Sequence, residues 1–130
     1  MEKRYVIIGS ILFSLAIILG AFGAHALKEL ISEQKLNSFE VGIRYQMFQS
    51  LAIIFLALNS KLFSFRLTTI LWMMIAGVFF FSFSIYCLSL SELIGFSFKF
   101  LGPVTPIGGA LLIVAWCIFI FKLIKSKPST

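Results

Sequence analysis

"YVIIGSILFSLAIILGAFGAHAL", Tyr5 to Leu27, contains no Asp, Glu, Lys or Arg. A helix needs roughly 20 predominantly apolar residues to cross the hydrocarbon core of a bilayer, and this stretch is long enough. Three more uncharged stretches follow: Tyr45 to Ser60, Leu67 to Ser91, and Phe100 to Phe121. The second is the shortest, but its helix can extend back through Arg44, whose guanidinium can snorkel to the interface. Apolar residues make up 60% of the chain and charged residues 12%, against about 25% charged in an average soluble domain. Such a chain has too little polar surface to cover a soluble fold. The expected fold is an all-α integral membrane protein: a single domain of four transmembrane helices in an antiparallel bundle, at about residues 5–31, 38–60, 67–91 and 104–123.

The first stretch also imitates a secretory signal. Lys3 and Arg4 form a basic head, and Ala24-His25-Ala26 resembles a small-x-small cleavage site. Its apolar run exceeds the roughly 7–15 residues of a signal core, so it is read as a retained helix. The net charge of +6 is explained by topology, and no nucleic-acid partner is expected. Four spans put both termini and the second loop on one side, with Lys3, Arg4, Lys61, Arg66, Lys122, Lys125 and Lys127. The other side carries Lys28, Lys35, Arg44 and Lys99 interleaved with Glu29, Glu33, Glu40 and Glu92. The positive-inside bias places both termini in the cytoplasm, in the inner membrane of a bacterium, with the lipid bilayer as the first partner. Cys87 and Cys117 fall at different depths and are not expected to pair.

Along the chain, Leu27, Leu30 and Ile31 continue the first helix with an apolar stripe, and Ser32 to Ser38 offers N-caps for the second. Phe96, Phe98 and Phe100 alternate with Ser97 and Lys99, which predicts an extended piece dipping its rings into the interface. Pro106 sits where the first turn of the fourth helix tolerates proline.

Every unusual polar or small residue falls toward the outer end of a helix. The first brings Gly20, Gly23 and His25; the second, Arg44, Tyr45, Gln46, Gln49 and Ser50. The third brings Ser82, Tyr86 and Ser89 on one face, and the fourth Thr105, Pro106, Gly108 and Gly109. Ala16, Gly20 and Ala24 recur at i+4 as a small-residue ridge. With Gly23, Gly108 and Gly109 they are the candidate helix-packing positions, because helix association in lipid depends on close approach. Amides at membrane depth need partners. His25, Gln46, Gln49 and Tyr86 are therefore expected to converge as a polar cluster, within direct or one-water reach of one another. The catalytic inventory is poor. The chain has no Asp, one His and two separated Cys, so a diaspartyl protease is excluded. No catalytic, cofactor-binding or metal-binding residue is assigned, no cofactor is expected, and the chain is read as a non-enzyme.

"LGAFGAHALK" (Leu19 to Lys28), "FEVGIRYQMFQSLAI" (Phe39 to Ile53) and "LGPVTPIGG" (Leu101 to Gly109) resemble the domain-of-unknown-function family 423. These small bacterial membrane proteins are also grouped as uncharacterised protein family 0382. Eukaryotic transmembrane protein 256 looks like a relative. The resemblance covers nearly the whole chain. In the family the second motif usually reads YQMYHAL, so Gln49 stands at the place of a histidine. If the family's two histidines share a site, half of it is replaced here by an amide that cannot titrate. The family has no established activity, so the resemblance implies a class and not a role. Two roles are expected. The first is a packing or assembly partner, as a homo-oligomer or a small subunit of a larger membrane complex. The alternative is an oligomeric binding or transport protein for a small molecule or lipid headgroup, acting through the polar cluster at the outer end.

Overall fold

A computed structural model describes residues 1–127. Four helices are long and apolar enough to span a membrane: α1 (Lys3–Leu27), α2 (Glu33–Leu58), α3 (Thr68–Ser89) and α4 (Val104–Lys125). They run up and down, so the termini and the α2–α3 connection share a terminal end. The α1–α2 and α3–α4 connections lie at the distal end. α1 packs chiefly on α2 and α4 on α3, which leaves α2 and α3 central. The chain is an all-α membrane protein.

The helix boundaries have local causes. α1 stops at Leu27, short of Ile31, and a turn follows in which the Leu30 and Ile31 N–H groups donate back to the Leu27 carbonyl. Ser32 then caps α2: its side chain accepts from the Lys35 N–H at 3.2 Å, and Glu33 complements the helix dipole in the first turn. This cap starts α2 at Glu33 rather than near residue 38, so a helix of 26 residues carries its first turn beyond the uncharged stretch. At the same distal end, Pro103 caps α4 and Pro106 occupies its first turn, where a missing N–H costs no intrahelical bond. Lys122 and Lys125 lie in its last turn, where the dipole favours cations. A one-turn helix, Ser91–Ile94, ends at Gly95, whose φ of 76° suits a residue without Cβ.

The Phe96 to Phe100 segment is only partly extended, because Lys99–Leu101 closes a 3-10 turn. That turn folds the three rings onto one another, with centroids 4.9–6.5 Å apart. Cys87 and Cys117 are both free thiols.

Two apolar clusters fill the bundle. The terminal one contains Tyr5, Ile53, Leu56, Ile70, Leu71, Met74, Val78 and Leu112. The smaller distal one contains Ala16, Phe39, Ile43 and Tyr86. Both α1 and α3 widen to a π turn on their distal halves, at Leu19–Gly23 and Phe79–Phe83. Such single π turns inside α-helices are rare and occur often at functional sites.

Candidate polar site of the bundle

Between the two apolar clusters lies a layer of buried polar side chains. Gln46 is 0% exposed and Tyr86 6%. The Tyr86 hydroxyl donates to Gln46 Oε1 at 2.6 Å, and Gln46 Nε2 donates to the Leu12 carbonyl at 2.7 Å. One amide thus ties α1, α2 and α3 together. Ser82, inside the π turn of α3, donates to the Gly42 carbonyl at 2.8 Å. Ser50 donates to the Gln46 carbonyl. Gly42 makes the α2–α3 crossing possible: a Cβ there would lie 2.8 Å from Tyr86 Cε1. The layer sits near the middle of α2, about 20 Å from its start at 1.5 Å per residue. The expected position at the outer end is therefore corrected inward. The early cap at Ser32 is the reason, since it adds a turn distal to Gln46.

Of the four expected cluster members, only Gln46 and Tyr86 meet. Gln49 turns away and accepts from Trp116 Nε1 of α4 at 3.0 Å. His25 is solvent- or lipid-exposed and has no side-chain hydrogen bond among the described residues. It lies at the level of Phe39, which Gly23 faces. Phe39 is about 15 Å along α2 from Gln49. Positions 25 and 49 therefore do not form a shared site in this chain.

The small residues divide similarly. Ala16 is fully buried, as the ridge requires. A Cβ on Gly20 would meet only Ile43 Cγ2 at 3.5 Å, an ordinary contact, and one on Gly23 would lie 3.3 Å from the Phe39 ring. The side chain of Ala24 lies outside the described set. The close approach of α1 to α2 is at Gly9 instead, where a Cβ would lie 2.8 Å from Ile54 and 3.3 Å from the Ser50 carbonyl. Gly108 is the tightest position. Its missing Cβ would collide with the Phe81 backbone nitrogen and lie 2.8 Å from the Phe80 carbonyl carbon, within the π turn of α3. Gly77 completes this crossing against Leu112, whereas Gly109 faces the Phe81 ring at 3.6 Å with room to spare.

A family model described as "Protein of unknown function (DUF423)" matches residues 19–109. The chain belongs to the DUF423 family. It is 37% identical over 123 residues to a UPF0382 membrane protein of Staphylococcus aureus (strain bovine RF122 / ET3-1), covering 95% of this chain and 97% of that one. The UPF0382 membrane protein YwdK of Bacillus subtilis (strain 168) is 36% identical over 125 residues, covering 95% and 98%. A UPF0382 membrane protein of Staphylococcus epidermidis (strain ATCC 12228 / FDA PCI 1200) is 32% identical over 123 residues, covering 95% and 97%. No solved structure matches the chain.

In this DUF423 protein the buried layer consists of neutral hydrogen-bonding groups, each paired within the protein among the described residues. Its chemistry is that of a fastener. Two other places are open. A groove of about 480 Å³ between α2 and α4 is lined by Tyr45, Gln49, Phe81, Gly109, Leu112 and Trp116, among others. A distal cleft of about 430 Å³ is lined by Lys35, Ser38, Ile85, Leu88, Ser89, Gly102, Thr105 and Pro106. At its edge Lys35 pairs with Glu92 at 2.8 Å, and the Ser84 and Thr105 hydroxyls share a hydrogen bond of 2.6 Å. Reading by residue type misses the Leu12 carbonyl, which has no sequence signal, and Gly9, Gly42 and Gly77. Gly42 was recoverable: Gly42, Gln46 and Ser50 recur at i+4 as a small-polar ridge.

Proposed function

We propose that this DUF423 protein is a non-enzymatic partner protein of the bacterial cytoplasmic membrane, whose α2–α4 groove receives a transmembrane helix. One observation carries the reading. The Gln49 amide is half-buried at membrane depth, its oxygen is taken by Trp116, and its N–H groups have no acceptor among the described residues. In hydrocarbon an amide donor without an acceptor is costly, and interhelical hydrogen bonds from glutamine are a recognised means of helix association. Gly109 beside it keeps the groove shallow-walled enough for close approach. The proposed orientation has both termini in the cytoplasm, and the basic asymmetry of the connections supports it.

The test is native mass spectrometry of the protein extracted at its natural abundance. Wild type should carry a stoichiometric second chain, either another copy or a different membrane protein. Gly109→Leu fills the groove from a position where an added Cβ meets the Phe81 ring at ordinary contact distance, and Gln49→Leu removes the donor; both should release that chain while helical content is unchanged. A wild-type protein that flies as a bare monomer would sink the proposal. For orientation, a reporter fused after Thr130 should be active only in its cytoplasmic form; activity of a periplasm-dependent reporter there rejects the placement.

A further inference from the structure

We infer that the distal cleft is a binding site for the phosphate of a glycerophospholipid. The inference rests on Ser89. It is 3% exposed and lines the cleft, yet its hydroxyl has no hydrogen-bond partner among the described residues. The neighbouring serines behave differently: Ser82, Ser84 and Ser91 each donate to a backbone carbonyl. No polar side-chain atom sealed from solvent is left unpaired among the described residues, so the remaining exposure of this hydroxyl opens on the cleft and its free donor is presented to whatever occupies it.

The surroundings specify that partner. Lys35 stands at the edge of the cleft with a charge already half-withdrawn from solvent, and its counter-ion, Glu92, is 75% exposed. A pair so exposed is weak, so an incoming anion can take over the ammonium. Gly102, Thr105 and Pro106 bring the N-terminal end of α4, the positive end of its dipole, to the same cleft. Ser38 adds a hydroxyl. The opposite wall is apolar, with Ile85 and Leu88. Lys35 and Glu92 lie outside the uncharged spans, at the level where headgroups meet water. Ile85 lies about one turn deeper than Ser89 along α3. An anion above and a hydrocarbon chain below is the chemistry of a phospholipid, and the volume falls within the usual range of about 300–1,000 Å³ for small-molecule sites.

The purified full-length protein is titrated with phosphatidylglycerol, phosphatidylethanolamine, diacylglycerol and inorganic phosphate, and retained species are read by native mass spectrometry. The expected result is one retained phospholipid per chain, with diacylglycerol not retained. Lys35→Gln and Ser89→Leu should each weaken retention about tenfold or more, as expected for the loss of a hydrogen bond to a charged group. Glu92→Gln should strengthen it by freeing Lys35. If Ser89→Leu does not fold, Ser89→Ala replaces it, with retention still reduced severalfold. Gly109→Leu, which alters the other groove, should leave retention unchanged, so this inference and the helix-docking proposal fail separately. The assignment is overturned if retention ignores both Lys35 and Ser89, if diacylglycerol is held as well as a phospholipid, or if inorganic phosphate binds and phospholipids do not.

Discussion

Gln46 concentrates the cost and the benefit of placing an amide inside a membrane protein. Its oxygen and nitrogen are spent on two different helices, so truncating it affects both interfaces at once. Gln46→Leu should destabilise the protein in detergent by about 1–3 kcal/mol, mainly by orphaning the buried Tyr86 hydroxyl. Gln46→Leu combined with Tyr86→Phe should recover part of that loss. A double-mutant cycle isolates the pair, and hydrogen bonds between membrane helices average about 0.6 kcal/mol with a ceiling near 1.7. A coupling indistinguishable from zero would mean that Tyr86 finds another partner. The pairing was legible in the sequence because helix parity alone brings a mid-helix glutamine on α2 opposite a tyrosine on α3. The fate of Gln49 was not. Three residues leave a net offset of about 60° around a helix, and at a central helix that is enough for Gln46 to reach α1 and α3 while Gln49 reaches α4. His25 was over-read for a related reason: a lone imidazole draws attention, but a helix end offers it water as readily as a partner.

At the scale of the element, the glycines separate into those that matter for packing and those that do not. Gly108→Ala should destabilise the α3–α4 crossing strongly, because the added Cβ meets backbone atoms of the π turn that cannot rotate away. Gly109→Ala, one residue on, should be nearly silent. Thermal unfolding in detergent of the two variants side by side checks this, and equal midpoints would contradict the packing described. The same comparison on α1 pits Gly9→Leu against Gly20→Leu. The first is expected to cost about 1–3 kcal/mol by overpacking, the second little, since Gly20 meets only one side-chain carbon at contact distance. Composition and spacing marked Gly20 as the ridge because it lies at i+4 from Ala16. They did not mark Gly9, which is seven residues before Ala16 and returns to the same face after two turns. Nor does any residue pattern announce a π turn; the two runs, LGAFG and FFFSF, share only Phe and lie in stretches that read as ordinary apolar helix.

For the whole molecule, four uncharged stretches were enough to establish the class of fold, since length and hydropathy alone decide whether a helix can span a bilayer. What they left undetermined was which outward faces remain merely lipid-facing. α1 exposes Ser10 and Ser14 among Ile7, Ile11 and Leu15, and Ser14 is already satisfied by the Ser10 carbonyl. The α2–α4 groove differs in holding an amide whose donors have no acceptor among the described residues. That difference has a consequence for symmetry. All copies of a chain enter the membrane the same way up, so any rotation axis relating them must stand normal to the bilayer. If the groove meets its own counterpart about such an axis, Gln49 comes to face Gln49 at equal depth, each able to donate to the other, and the surface is consumed at two copies. If the face of α1 enters the groove instead, every copy offers one surface and uses the other, and assembly continues until a ring closes. Counting the chains in a purified assembly would therefore reveal which surface occupies the groove, before any contact is seen.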